Sequence, residues 1–140
     1  MRLSRPREML VIAGLALLPA AGTAWHLRQV LASQDELRPF EVTMATVRDW
    51  GDSVLWIDAR SPEEFDEGHV PGALPLDEGN WEMRLPTVLE AWQPESRVVV
   101  YCTGTRCEAS SRVAERLRSD LGTAQVYFLR GGFAAWQTGR

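Results

Sequence analysis

Two cysteines five positions apart, Cys102 and Cys107, are the chain's only thiols. Cys102 follows the apolar, β-branched run Arg97-Val98-Val99-Val100-Tyr101, which has the pattern of a fully buried strand. After the loop Thr103-Gly104-Thr105-Arg106-Cys107, the residues Ala109, Val113, Ala114, Leu117 and Leu121 recur at helical spacing, and Gly122 supplies a stop. A strand that turns through a glycine-containing loop into a helix aims several backbone N–H groups, and the positive helix end, at one place. A thiol at the start of that loop is expected to ionise below its ordinary range and to act as a nucleophile near neutral pH. The chemistry implied is covalent catalysis at Cys102. Thr103, Gly104, Thr105, Arg106 and Cys107 then face the substrate, with Arg106 as the cation for an anionic one.

The elements that must hold this loop are legible on either side of it. Glu41-Val42 reads as a short strand, and Thr43 as the cap of a helix carrying Val47 and Trp50 and closed by Gly51. Val54-Leu55-Trp56-Ile57 is a second buried strand ending at Asp58-Ala59-Arg60. Ser61-Pro62-Glu63-Glu64 is a helix start, with a hydroxyl cap, proline first and glutamate third. That helix holds Phe65 and stops at Gly68, and the turn His69 to Ala73 leads into a brief strand ending at Leu76. Trp81, Leu85, Val88, Leu89 and Trp92 recur at helical spacing, with Pro86 expected to split or kink the helix. Gln125 to Leu129 is the last strand, Gly131-Gly132 a turn, and Phe133 to Trp136 a terminal helical turn.

Strands alternating with helices predict an α/β fold: a mostly parallel central sheet of about five strands, with helices on both faces. In such sheets the ligand crevice lies beyond the carboxyl ends of the strands, so Cys102, Asp58 and Arg60 are expected on one side. Asp58 is expected to hold the neighbouring loop, Arg60 to pair with Glu64, and His69 to brace its turn or donate a proton. Trp56, Trp81, Trp92 and Trp136 read as core or pocket wall.

Composition narrows the remaining choices. The length suits one domain with its own core. The chain has no lysine, and residues 29–140 set eleven arginines against eighteen carboxylates, which argues against nucleic acid as a partner. Two cysteines with His26 and His69 make a poor metal set, so no metal is expected. Arg2, Arg5 and Arg7 precede an apolar stretch from Met9 to Trp25. That pattern predicts a body sent across a membrane, either anchored by this segment or released after signal cleavage. The expected organisation is a targeting segment over 1–28, a linker over 29–40 and a domain over 41–140, placed outside the cytoplasm.

Taken together, WIDARSPEEFDEGHVPGALPL, YCTGTRCEAS and VYFLRGGFAAWQ resemble a single-domain rhodanese, a sulfurtransferase fold, over roughly Val42 to Trp136. The family's D-x-R-x-x-x-E-F falls on Asp58, Arg60, Glu64 and Phe65, its G-H-I-P-G-A turn on Gly68 to Ala73, and its G-G-x-x-x-W on Gly131, Gly132 and Trp136. The resemblance implies that Cys102 takes sulfane sulfur from a donor such as thiosulfate or a persulfide. It would hold that sulfur as a persulfide and pass it to a thiophilic acceptor, without cofactor, as a monomeric domain. The partners implied are small sulfur anions or persulfides, and a thiol-bearing or membrane protein.

The loop departs from the common family form by holding Thr103 and Cys107 where arginines stand, and so resembles a C-x-x-x-x-C subgroup. Fewer cations weaken the attraction for a dianion such as thiosulfate. Cys107 has two open readings, a resolving nucleophile that attacks the persulfide or a small packed residue. Phosphatases of the same architecture carry arginine six residues after the cysteine, where this chain has Glu108, which would repel phosphate. A thiol–disulfide module using Cys102 and Cys107 stays open as the alternative function.

Overall fold

Strands of β-branched residues need both faces covered when they run parallel, and the chain supplies helices for each. The computed structural model describes residues 23–28, 36–104 and 108–139. The chain divides into two units, Met1–Glu36 and Leu37–Arg140. In the first, residues 23–28 are helical and exposed. No helix among the described residues is long and apolar enough to cross a membrane. The expected anchor or signal stretch, Met9 to Trp25, lies outside them except at its last three residues.

In chain order the second unit comprises β1 (Glu41–Val42), α1 (Met44–Asp49), β2 (Val54–Asp58), α2 (Pro62–Glu67) and β3 (Leu74–Pro75). A 3-10 turn (Glu78–Asn80), α3 (Trp81–Ala91), β4 (Arg97–Tyr101), α4 (Glu108–Leu121), β5 (Val126–Leu129) and α5 (Gly132–Thr138) complete it. The five strands form one sheet in the order β1-β5-β4-β2-β3, and every pairing is parallel. This is the α/β architecture expected from the sequence.

Side chains of β4 alternate between two cores. Val98 and Val100 pack with Ile57, Leu76, Trp81, Val88, Val113 and Leu117 on the side of α3 and α4. Val99 and Tyr101 join Val42, Val47 and Leu129, with Phe133 and Trp136 against them, on the side of α1 and α5. Burying one such valine contributes about 1.5–3 kcal/mol, so the period-two pattern anchors β4 from both faces.

Local chemistry sets the helix ends. Ser61 caps α2 in a complete capping box with Glu64, and Pro62 occupies the first turn. Thr43 caps α1 through the Thr46 N–H. Helix α4 ends before Gly122, whose φ of 63° is a left-handed conformation that glycine adopts without strain. Pro86 does not divide the helical region. It lies inside a continuous α3, and the break falls earlier, where the 3-10 turn gives way to Trp81. Asp77 caps the start of the 3-10 turn, accepting from the Gly79 and Asn80 N–H groups.

Candidate active site

The parallel register places Asp58 opposite Tyr101, so the carboxyl ends of β2 and β4 deliver Asp58, Ala59 and Cys102 side by side. Cys102 is buried at 2 % exposure. Its backbone is held from two sides. The Ala59 N–H donates to the Tyr101 carbonyl at 2.9 Å, and the Phe133 N–H to the Cys102 carbonyl at 2.7 Å. The second bond needs the chain after β5 to come very close. Gly132 lies at φ 54° against the Cys102 carbonyl, where an added Cβ would collide with that oxygen and lie 3.1 Å from the Gly104 nitrogen. Only glycine fits there.

The other end of the described loop is tied to α2. The Thr103 hydroxyl donates to Glu64 Oε1 at 2.8 Å, while Oε2 of the same carboxylate accepts from the Ser61 N–H. The α2 cap therefore also anchors the residue after the cysteine. Among the described residues Glu64 has no ion pair, because Arg60 goes elsewhere. The expected Arg60–Glu64 pair is replaced by an Arg60–Asp58 pair.

Asp58 is fully buried and accepts from Arg60 through the backbone N–H at 2.9 Å, Nε at 3.0 Å and Nη2 at 2.6 Å. The chain bends at Arg60, whose backbone N–H and guanidinium both reach the Asp58 carboxylate. Arg60 Nη2 also donates to the Gly68 carbonyl at 2.7 Å. Its guanidinium lies 4.1 Å from the centre of the Phe133 ring and 5.5 Å from that of Tyr101. Burial opposes the charge on Arg60, but the hydrogen bonds and charge of Asp58 outweigh it, and Arg60 holds its proton above its usual range. Arg60 is thus a brace from β2 to α2 and α5. Tyr101 lies within this brace, its hydroxyl accepting from the Val70 N–H at 3.1 Å. Burial, joined by the nearby Asp58, pushes its phenol well above the ordinary tyrosine range, so it stays neutral.

His69 is exposed, stacked on Phe65 with ring centres 3.8 Å apart, and its Nδ1–H donates to the Phe65 carbonyl at 3.0 Å. Thr105, Arg106 and Cys107, expected to face the substrate, lie outside the described residues. Cys102 is disulfide-bonded in this structure, so its chemistry as a nucleophile begins with reduction.

Sequence reasoning missed one residue at the sulfur. The Ser110 hydroxyl lies 3.4 Å from Cys102 Sγ, with Ser110 at 2 % exposure in the first turn of α4. The signal was available. Ser110, Val113, Ala114 and Leu117 form one buried helical stripe, and the polar member of such a stripe needs a partner inside. Together the described groups form a buried sulfur at a helix start with a hydroxyl 3.4 Å from it. Once the sulfur is reduced, an arrangement of this kind can stabilise a sulfur anion.

The rhodanese-like domain family model matches residues 44–138. The chain is 32% identical over 80 residues to the uncharacterized protein YqhL of Bacillus subtilis, covering 57% of this chain and 58% of that protein. It is 37% identical over 81 residues to a tRNA uridine(34) hydroxylase of Escherichia coli, covering 56% of this chain and 22% of that protein. The chain thus spans less than two thirds of either relative. A crystal structure from Bacillus halodurans superposes with a TM-score of 0.57 at 18% identity, covering 86% of this chain and 81% of that one. The thiosulfate sulfurtransferase of Pseudomonas aeruginosa superposes at 0.54 with 22% identity, covering 73% of this chain and 18% of that one. At these identities the two structures share the fold.

Proposed function

This chain belongs to the rhodanese-like domain family, and from that premise we propose that it is a sulfurtransferase carrying sulfane sulfur as a persulfide on Cys102. The observation that carries the reading is the buried Cys102 sulfur at the start of α4, beside the Ser110 hydroxyl and on a loop clamped by Phe133 and Glu64. After reduction, the Cys102 thiolate attacks the outer sulfur of a donor. A new S–S bond forms, the donor's own S–S bond breaks, and the donor leaves with the electron pair. An acceptor thiolate then attacks the outer sulfur held on Cys102 and takes it, returning the Cys102 thiolate. This two-step path predicts ping-pong kinetics.

Donor choice follows from the loop. Thr103 is tied to the carboxylate of Glu64, an arrangement that disfavours a dianion and suits a persulfide monoanion better than thiosulfate. The acceptor would be a small thiol or a thiol-bearing protein. The arginines before the apolar N-terminal stretch support a domain working outside the cytoplasm, tethered to the membrane or released there. The disulfide at Cys102 favours one second reading, a thiol–disulfide module cycling this cysteine between oxidised and reduced states.

Intact-mass spectrometry of the reduced full chain, exposed to an alkyl persulfide or thiosulfate, separates the two. A gain of one sulfur that disappears in Cys102→Ser is the expected result. Loss of two hydrogens on mild oxidation, with no sulfur gained from either donor, would replace sulfur transfer with the redox reading.

A further inference from the structure

Ser110 has a place in the chemistry that nothing above requires of it. It stands in the first turn of α4, where a helix leaves backbone N–H groups unpaired and carries its positive end. Its side chain points into the interior, buried like the Cys102 it faces, with Oγ 3.4 Å from Sγ. A hydroxyl can donate to sulfur, and it donates best to a sulfur that carries charge. Helix α4 is packed through Val113, Ala114 and Leu117 against β4 and β5, so the hydroxyl is held at the sulfur by the core.

We propose that Ser110 is a catalytic residue, whose hydroxyl donates to the Cys102 sulfur whenever that sulfur bears negative charge. The first consequence concerns the reduced enzyme alone. A hydrogen bond to the charged form lowers the pKa of the thiol, so Ser110 enlarges the thiolate fraction near neutral pH. The second rests on the sulfur-transfer reading and concerns the two half-reactions. During loading, the Cys102 thiolate forms a bond to the donor's outer sulfur and the donor thiolate departs. During discharge, the acceptor thiolate bonds to the outer sulfur, which moves with its proton. The S–S bond to Cys102 breaks, and its electron pair remains on Cys102. That departing charge is the one Ser110 meets. A thiol of lower pKa leaves faster but attacks more weakly, so Ser110 favours discharge and, once the thiol is fully ionised, slightly restrains loading.

The test uses the reduced full chain and its Ser110→Ala variant. The pH dependence of iodoacetamide alkylation at Cys102, read by intact mass, reports the thiol directly and requires no sulfur transfer. The alkylation midpoint is expected to rise by about one pH unit in Ser110→Ala. Single-turnover discharge of the persulfide to a small thiol is expected to slow about threefold. Loading from an alkyl persulfide, measured above the midpoint, should be unchanged or slightly faster. A purely structural serine would slow both half-reactions together and leave the midpoint in place. An unchanged midpoint in a folded Ser110→Ala chain overturns the proposal. Ser110→Thr keeps a hydroxyl on the same helix face and is expected to hold the midpoint near that of the parent. Should the alanine variant not fold, a midpoint raised by about one unit in a folded Ser110→Thr chain would overturn the proposal. A raised midpoint in a chain that never gains sulfur would retain Ser110 as a thiolate stabiliser and remove the sulfur-transfer reading instead.

Discussion

Gly132 shows how little room the site leaves. Its backbone presses on the Cys102 carbonyl at a φ that other residues adopt only with strain. Gly132→Ala adds a left-handed penalty of about 1–2 kcal/mol, and the Cβ must also displace the Cys102 backbone. The expected outcome is a fall in Tm together with a loss of Cys102 reactivity, measured as alkylation rate, at temperatures where the variant remains folded. Unaltered alkylation in the folded variant would mean that the close approach does not position the loop. The Asp58–Arg60 pair makes a second residue-scale case. Asp58→Asn leaves the buried Arg60 charge without its counter-ion and should cost about 3–5 kcal/mol in urea unfolding. Replacing both, Asp58→Asn with Arg60→Met, should cost clearly less than the sum of the single changes, because no buried charge is then left unpaired. Additive costs would contradict the coupling inferred from their geometry.

At the scale of elements, the edge strand β1 depends on one carboxylate. Glu41 pairs through β1 with Phe128 on β5, and its side chain, 4% exposed, accepts from the Arg38 N–H at 3.0 Å and from Arg130 Nη2 at 3.2 Å. Burial alone would raise its pKa, but the Arg38 backbone bond and the two guanidinium groups prevail and hold it below the usual glutamate range. A carboxyl that ionises at lower pH in the folded chain contributes its full stability above the ordinary glutamate range. That contribution is lost as pH falls through the depressed value. Glu41→Gln should therefore cost about 1–3 kcal/mol near neutral pH. The gap between variant and parent should close in acid, as chemical unfolding across pH will measure. A gap that persists at the acid end would assign the loss to packing rather than charge.

Across the whole molecule, charge bears on the substrate. Eleven arginines against eighteen carboxylates over residues 29–140 give that part of the chain an excess of negative charge, and Glu64 holds the residue next to the nucleophile. A dianionic donor approaches against this field, a neutral one does not. Added salt should therefore raise kcat/KM for thiosulfate severalfold between about 10 mM and 150 mM, where the screening length shrinks from about 30 Å to 8 Å. The rate with a neutral trisulfide should change little over the same range. A thiosulfate rate that falls with salt would require a locally positive mouth, and the proposed preference for monoanions would then be withdrawn.

The architecture was legible in the order of the residues because it depends on local pattern. The valine run into Cys102 can only be a buried strand, Ser61-Pro62 through Glu64 carries its own helix cap, and the alternation of strands and helices leaves a parallel sheet as its packing solution. The placement of Cys102 directly after a strand end follows from the same pattern, since β4 stops at Tyr101. What tertiary structure alone decided is which groups meet there. Arg60 turns to Asp58 instead of Glu64 because the bend after β2 brings its backbone N–H and guanidinium to that carboxylate, a local contact that spacing along a helix does not reveal. Glu64 reaches Thr103 across 39 positions, and the Gly132 backbone meets Cys102 across 30, both through the parallel register of strands distant in sequence. Ser110 reads as one more polar residue in a helix until α4 is laid on the sheet. The stripe it shares with Val113 and Leu117 then turns it inward, and its hydroxyl comes to lie beside the sulfur.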